Sequence, residues 1–172
     1  LVKEVVPDLV LVDISLKRGH GIDLIKRIRA IYPAVKMLVI SGFEESLYAE
    51  RAFRAGAAGY LNKQESNEKL IEAIRTVLSG ERFLSPAISR RLIDQALGKS
   101  SVAANPVDRL TNRELEIFRM IGQGVTTSIM ANKLFLSRNT IDTHRENIKR
   151  KLAVKTAAEL SRSAVQWFLE NG

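Results

Sequence analysis

Three short apolar runs each close on a side chain suited to phosphate chemistry. LVLVD ends on Asp13, LVIS on Ser41 and GYLNK on Lys63. A carboxylate can attack phosphorus and form an acyl phosphate. A hydroxyl can then bond a phosphoryl oxygen, and an ammonium can balance its charge. Such transfer depends on positioning and charge stabilisation, usually with Mg²⁺. A carboxylate at a strand's end is costly if buried and unpaired, so Asp13 needs water or a cation. Spacing alone equally allows three unrelated polar groups facing solvent.

The elements that must position these groups follow from periodicity. LVLVDI reads as a buried strand, VKMLVI (35–40) as a second and AAGYL (57–61) as a third. Between them lie GIDLIKRIRAIY, with Ile22, Ile25, Ile28 and Ile31 on one helical face, and SLYAERAFRAG, ending at Gly56. SNEKLIEAIRTVLSG follows as a third helix, with Leu70, Ile71, Ile74, Val77 and Leu78 apolar and Gly80 as its stop. Strands alternating with helices imply a parallel sheet covered by helices. In such sheets ligands bind beyond the carboxyl ends of the strands, where adjacent ends would gather Asp13, Ser41 and Lys63. Three strands are few for this architecture, and the chain enters a strand-like run almost at once from Leu1, so a fragment is expected.

The chain of 172 residues carries a net charge of +8 and no cysteine. The missing cysteine excludes disulfides and thiolate metal sites and suits a reducing cytoplasm. No apolar stretch is long enough to span a membrane, and no signal peptide is visible. The net charge is +2 over residues 1–80, +2 over 81–109 and +4 over 110–172. That gradient points to a polyanion at the C-terminal end. SPAISRRLIDQAL forms one helix started by Pro86, and GKSSVAANP reads as a flexible linker.

Residues 110–170 show no strand signal. TNRE (111–114) and TAAE (156–159) are capping boxes ahead of apolar runs. Gly122 and Gly124 stop the first helix, TTSIMANKLF makes a short second one, and Ser137 caps a third, RNTIDTHRENIKRKL. Short helices joined by tight turns suggest a helix-turn-helix unit. On the 138–152 helix, Ile141, Ile148 and Leu152 form one stripe with His144 beside it. Asn139, Asp142, Thr143, Glu146, Lys149 and Arg150 fall opposite. His144 is expected to pack, Ile129 to be an exposed apolar residue, and His20 to be a solvated loop histidine.

VLVDISLKRGHGIDLIKRIR, VISGFEE and GAAGYLNK resemble the receiver domain of two-component response regulators over about residues 5–79. The resemblance implies Asp13 as phosphoacceptor, Ser41 as switch hydroxyl, Lys63 as phosphate-binding lysine and Tyr60 as the aromatic that swings with the hydroxyl. It also implies Mg²⁺ held by Asp13 and the backbone carbonyl of Ser15. Two departures stand out. Lys17 occupies a loop position where such receivers usually carry proline, and the family's acidic pair for Mg²⁺ lies on a strand this chain lacks. Metal binding is therefore expected to be weak, and the LVLVD strand to expose an edge.

LTNRELEIFRMIGQG, ANKLFLSRNTIDTHRENIKRKLAV and TAAEL resemble the LuxR-type DNA-binding domain of the NarL subfamily over about residues 108–168. The resemblance implies four helices, with 138–152 in the major groove. Lys149, Arg150 and Lys151 are then candidates for phosphates. Thr126, Thr127, Ser137 and Thr140 stand at helix starts, where hydroxyls and N–H groups can also meet phosphate. Asn139, Asp142, Thr143 and Glu146 could face base edges. In the last helix, 156–169, Leu160, Val165, Trp167 and Phe168 divide between core packing and pairing of two copies on DNA.

The expected architecture is thus α/β plus all-α. A partial doubly wound, flavodoxin-like receiver lacking its first strands and acidic pair (1–80) and a linker with one helix (81–109) precede a four-helix helix-turn-helix domain (110–172). The expected function is a phosphorylation-controlled transcriptional regulator, not an enzyme. Its partners would be double-stranded DNA, a sensor histidine kinase and a second copy of itself, with no membrane. The alternative is a helix-turn-helix factor whose receiver-like domain takes no phosphate and serves protein contacts. A small phosphohydrolase is a third reading, but nothing in the sequence resembles a substrate pocket or a second acid for turnover.

Overall fold

The computed structural model describes residues 5–16, 20–42, 45–97 and 106–171. The chain divides into two compact units, Leu1–Ser101 and Val102–Gly172. In the first, β1 (Leu9–Asp13), β2 (Lys36–Ser41) and β3 (Gly59–Asn62) alternate with α1 (Gly21–Ile31), α2 (Glu45–Ala55) and α3 (Asn67–Leu78), and α4 (Pro86–Ala96) follows. The strands are parallel in the order β1-β2-β3. β2 lies between the other two, and its Met37, Leu38 and Val39 are fully buried. The outer strand β1 keeps Leu11 at 48% exposure, in line with its place at the end of the order.

α1 buries Ile22, Ile25 and Ile28 but leaves Ile31 62% exposed. A spacing of three drifts against the 3.6-residue turn, and nine residues past Ile22 the side chain has come round to the opposite face. Ile71 and Leu78 of α3 lie to one side of its Leu70, Ile74 and Val77 stripe and are exposed, while Val77 packs with Leu38 and Ala73. His20 is the clearest departure from expectation. It is 3% exposed, its Nδ1 accepts the Ile22 N–H at 3.3 Å as the cap of α1, and its ring lies 5.9 Å from that of Tyr48 in α2.

One feature has no periodic signal. After α3 the chain runs back along β3, where Phe83 forms a parallel bridge with Gly59. The Tyr60 N–H donates to the Phe83 carbonyl and the Phe83 N–H to the Ala58 carbonyl, both at 3.1 Å. The Ser85 N–H then donates to the Glu45 carboxylate at 3.1 Å, which ties the start of α4 to the first turn of α2. Of the expected linker GKSSVAANP, all but Pro106 lies outside the described residues.

In the second unit a short 3-10 turn, Pro106–Arg109, precedes α5 (Asn112–Gly122), α6 (Thr127–Leu134), α7 (Arg138–Leu152) and α8 (Ala157–Asn171). Thr111 and Glu114 form the expected reciprocal capping box. At the start of α8 the Glu159 N–H donates to the Thr156 hydroxyl, and the Glu159 carboxylate reaches back to the Lys155 N–H. The core gathers Leu115, Ile117, Phe118, Met130, Ile141, Ile148, Leu160 and Ala164. Trp167 packs on Phe118 with ring centroids 5.7 Å apart.

Gly122 ends α5 as expected and also serves packing. A Cβ there would meet the Ala164 carbonyl and stand 2.8 Å from Phe168 Cβ, so α5 and α8 can approach this closely only at a glycine. Gly124, at φ +72°, supplies the left-handed turn. α6 and α7 end instead on left-handed Phe135 and Ala153.

Candidate functional site

Asp13, Ser41 and Lys63 lie at the same end of three adjacent parallel strands. Asp13 stands beside Ile40 in the ladder, and Ser41, one residue on, stands beside Asn62. The Lys63 N–H donates to the Ser41 carbonyl at 2.8 Å, which fixes the start of the lysine side chain. Its ammonium reaches across to Asp13, with Nζ 2.6 Å from Oδ2. The other carboxylate oxygen, Oδ1, accepts the Ser15 N–H at 3.0 Å. The Asp13 side chain is 32% exposed and that of Lys63 48%, so the pair opens to solvent. An exposed ion pair contributes on the order of 0–1 kcal/mol to stability. Its effect lies in holding two opposite charges where a phosphoryl group could join them.

Ser41 is fully buried and Tyr60 is 2% exposed, both in the sheet. Tyr60 borders a cleft of about 490 Å³ that Glu45, Lys69, Phe83 and Ser85 also line. Lys17 lies outside the described residues. Among the described residues the donor set for Mg²⁺ is incomplete. Mg²⁺ takes near-octahedral oxygen ligands. Both Asp13 oxygens already accept hydrogen bonds, and among the described residues no cluster of three or more carboxylate, imidazole or thiol groups forms.

Gly21 is a site residue that the strand-end motif does not announce. Its N–H donates to the Ile14 carbonyl at 3.0 Å, and a Cβ would strike the Asp13 carbonyl and lie 2.8 Å from Ile14 Cα. The backbone carrying the carboxylate is therefore seated directly on the start of α1.

On α7, Ile141 and Ile148 face the core, while Asn139, Asp142, Thr143, Glu146 and Arg150 are exposed. Ser137 caps the helix, its hydroxyl accepting the Thr140 N–H at 3.0 Å and lying 2.8 Å from the Thr140 hydroxyl. Thr126 caps α6, with Thr127 as its first residue. The Thr143 hydroxyl donates to the Asn139 carbonyl at 2.9 Å.

The three consecutive cations all have acceptors within this unit. Lys149 Nζ is 2.8 Å from Glu146, Arg150 donates to the Asn147 side-chain carbonyl at 2.9 Å, and Lys151 Nζ is 2.5 Å from Glu114. Lys151, a candidate for phosphate, is here paired with Glu114. The Glu114 side chain is 5% exposed, and a carboxylate that buried requires its cation.

The last helix also separates by burial. Leu160 and Trp167 belong to the core, which corrects their place among candidate pairing residues. Val165 is 42% exposed, and Phe168 is partly buried against Gly122. Ile129 is exposed as expected, at 47%.

Burial opposes ionisation of Glu114, but hydrogen bonds from Lys151 and from the Thr111 N–H and hydroxyl outweigh it and hold its pKa low. Burial pushes Glu116 up, only partly offset by Arg113 at 2.6 Å. Burial also lowers His144; Glu114 opposes that shift, while Arg113 and Lys151 reinforce it. The unfolded chain therefore binds the His144 proton more readily than the folded one. The stability this group contributes is complete above its ordinary pKa of 6.5 and declines as pH falls below it. The Glu114 contribution is present above 4.5 and is lost as pH falls through the lowered folded value. Trp167 is the chain's single tryptophan and lies in this unit. Urea midpoints followed by its fluorescence should decline from pH 7.5 to 5.5 and fall further below pH 4.5.

Residues 1–75 match the response regulator receiver domain, and residues 108–164 match the luxR family of bacterial regulatory proteins. Response regulator GacA of Pseudomonas protegens is 33% identical over 164 residues, covering 95% of this chain and 76% of that protein. The oxygen regulatory protein NreC of Staphylococcus carnosus is 32% identical over 165 residues, covering 93% and 76%. RcsB from Salmonella enterica serovar Typhimurium, solved bound to promoter rprA in the presence of phosphomimetic BeF3-, superposes with a TM-score of 0.52 at 23% identity. That match covers 94% of this chain and 76% of the other and concerns the fold.

Proposed function

The chain belongs to the response regulators that join a receiver domain to a luxR-family helix-turn-helix domain, and from that premise we propose that a phosphoryl group accepted on Asp13 controls how α7 engages double-stranded DNA. The observation that carries this reading is the 2.6 Å contact between Lys63 Nζ and Asp13 Oδ2 at the carboxyl ends of the strands. A domain serving protein contacts alone has no need for an ammonium held on a half-open carboxylate.

In the proposed transfer, an Asp13 oxygen attacks the phosphorus of a phosphohistidine on a sensor kinase. The O–P bond forms as the N–P bond breaks, and the imidazole leaves with the electron pair. Lys63 stays beside the acceptor and balances the phosphoryl oxygens. Receiver domains use Mg²⁺ for this step; the residues present here supply Asp13 and the Ser15 carbonyl toward it, and that incomplete set predicts weak binding.

The output runs through connections already in place. Ser41 and Glu45 bracket the segment leading into α2, Glu45 holds the Ser85 N–H, and Tyr60 holds the Phe83 carbonyl. A shift of Ser41 and Tyr60 toward a phosphoryl group is thereby felt at the start of α4. Such a shift biases a two-state element. On the DNA side, Arg150 exchanges its internal acceptor for a phosphate while Lys149 stays beside Glu146, Asn139, Asp142, Thr143 and Glu146 face bases, and Val165 with Phe168 pairs two copies. Lys151 positions α7 through Glu114. No helix among the described residues is long and apolar enough to cross a membrane. A cytoplasmic site of action follows from the DNA target.

The test is a titration of duplex DNA with the full chain before and after incubation with acetyl phosphate and Mg²⁺. Coupling energies of this kind are about 1–3 kcal/mol, so affinity should change about 5–150-fold. Asp13→Ala should show no change. Equal affinities before and after, with phosphate incorporated, would refute the control.

A further inference from the structure

We propose that the sequence selected by α7 is marked by cytosines, read by the carboxylates of Asp142 and Glu146. The inference rests on the reading that α7 enters the major groove.

Both acids are exposed, and the Glu146 side chain is 70% exposed. Four residues apart, they share one helical face about 6 Å apart along the axis. A carboxylate brought to DNA is repelled by phosphates and by every acceptor on the base edges. The major groove offers only two amino donors, cytosine N4 and adenine N6. Adenine sets its amino group beside the N7 acceptor, which opposes the second carboxylate oxygen. Guanine and thymine present acceptors, with a methyl group on thymine. Cytosine alone offers a donor with no acceptor on its own groove edge.

The surroundings of the two acids fit that task. Lys149 lies 2.8 Å from Glu146, so one acid reaches the polyanion with part of its charge balanced. The Thr143 hydroxyl donates to the Asn139 carbonyl, so its proton is already engaged and does not compete for the acids. Lys149 and Lys151 are held by acceptors on the protein, so fewer cations are left for phosphates, which carry no sequence information, and base reading carries more. With base pairs 3.4 Å apart along the helix axis, the two cytosines fall about two steps from one another.

The test is selection from a random duplex pool with the full chain and its Asp142→Asn and Glu146→Gln variants. Amides pair with adenine through N6 and N7. The wild type should enrich two C·G positions about two steps apart in each half-site. Each variant should change the preferred base at one of them from cytosine to adenine, on the order of tenfold. Both side chains are exposed, and Trp167 fluorescence melts check that the variants fold. If the wild type enriches a sequence that both variants retain unchanged, this inference falls and the DNA-reading role of α7 stands. If the wild type enriches no sequence, both fall.

Discussion

Gly21→Ala is expected to remove the phosphoacceptor geometry and about 3 kcal/mol or more of the first unit's stability, at the upper end of overpacking costs. The added Cβ meets the Asp13–Ile14 peptide, striking the Asp13 carbonyl and standing 2.8 Å from Ile14 Cα. No side-chain rotation relieves a backbone clash, so α1 must withdraw from β1. It cannot withdraw cheaply, because Ile22 and Ile25 are at 1% and 0% exposure in the core and His20 caps the helix from the same turn. Any retreat also breaks the Gly21 N–H bond to Ile14 and carries Asp13 away from Lys63. Far-UV circular dichroism on heating should show an early transition, while the Trp167 signal of the second unit stays put. Coincident melts for variant and wild type would mean that the β1–α1 contact is softer than the structure shows.

Lys151→Met is expected to cost the second unit about 3–5 kcal/mol, the usual penalty for orphaning one partner of a buried ion pair. Methionine keeps the bulk of the stem and removes only the ammonium that lies 2.5 Å from Glu114. Glu114 retains the Thr111 N–H at 2.7 Å, which places the cost nearer the lower end. A phosphate-contacting lysine behaves differently. Its loss leaves the fold intact and lowers the salt dependence of DNA binding by about one counterion. Urea titration by Trp167 fluorescence separates the two: the midpoint should drop sharply, and adding Glu114→Gln should recover part of the loss. An unchanged midpoint with a shallower salt slope would return Lys151 to the DNA-facing set.

What was legible beforehand was local. β1 and β2 read as strands because a sheet covered by helices makes them continuous apolar runs. Their polar terminal residues followed from the boundary of that burial. The Thr111 capping box, the α6–α7 turn and the exposed face of α7 also lie within a few residues of their own signals.

What was misread depends on partners distant in sequence. His20 looks like a loop residue until Tyr48, on another helix, covers it. Gly122 does end α5, but its packing against Ala164 and Phe168 has no local signal. Lys151 sits in a basic run that suits DNA, yet its acceptor lies 37 residues earlier. Phe83 carries no alternation, because a single bridge beside β3 needs none. The end of α7 at Leu152 was read correctly, while that of α6 fell one residue short of the reading because Phe135 adopts the left-handed turn normally announced by glycine.

The most direct measurement weighs the intact full chain after incubation with acetyl phosphate and excess Mg²⁺. The wild type should gain the mass of one phosphoryl group, lose it to hydroxylamine as an acyl phosphate does, and gain none once Asp13 is alanine. A wild-type chain that stays unmodified at every Mg²⁺ concentration, or an Asp13→Ala chain that still takes up the group, would contradict the phosphoacceptor role of Asp13.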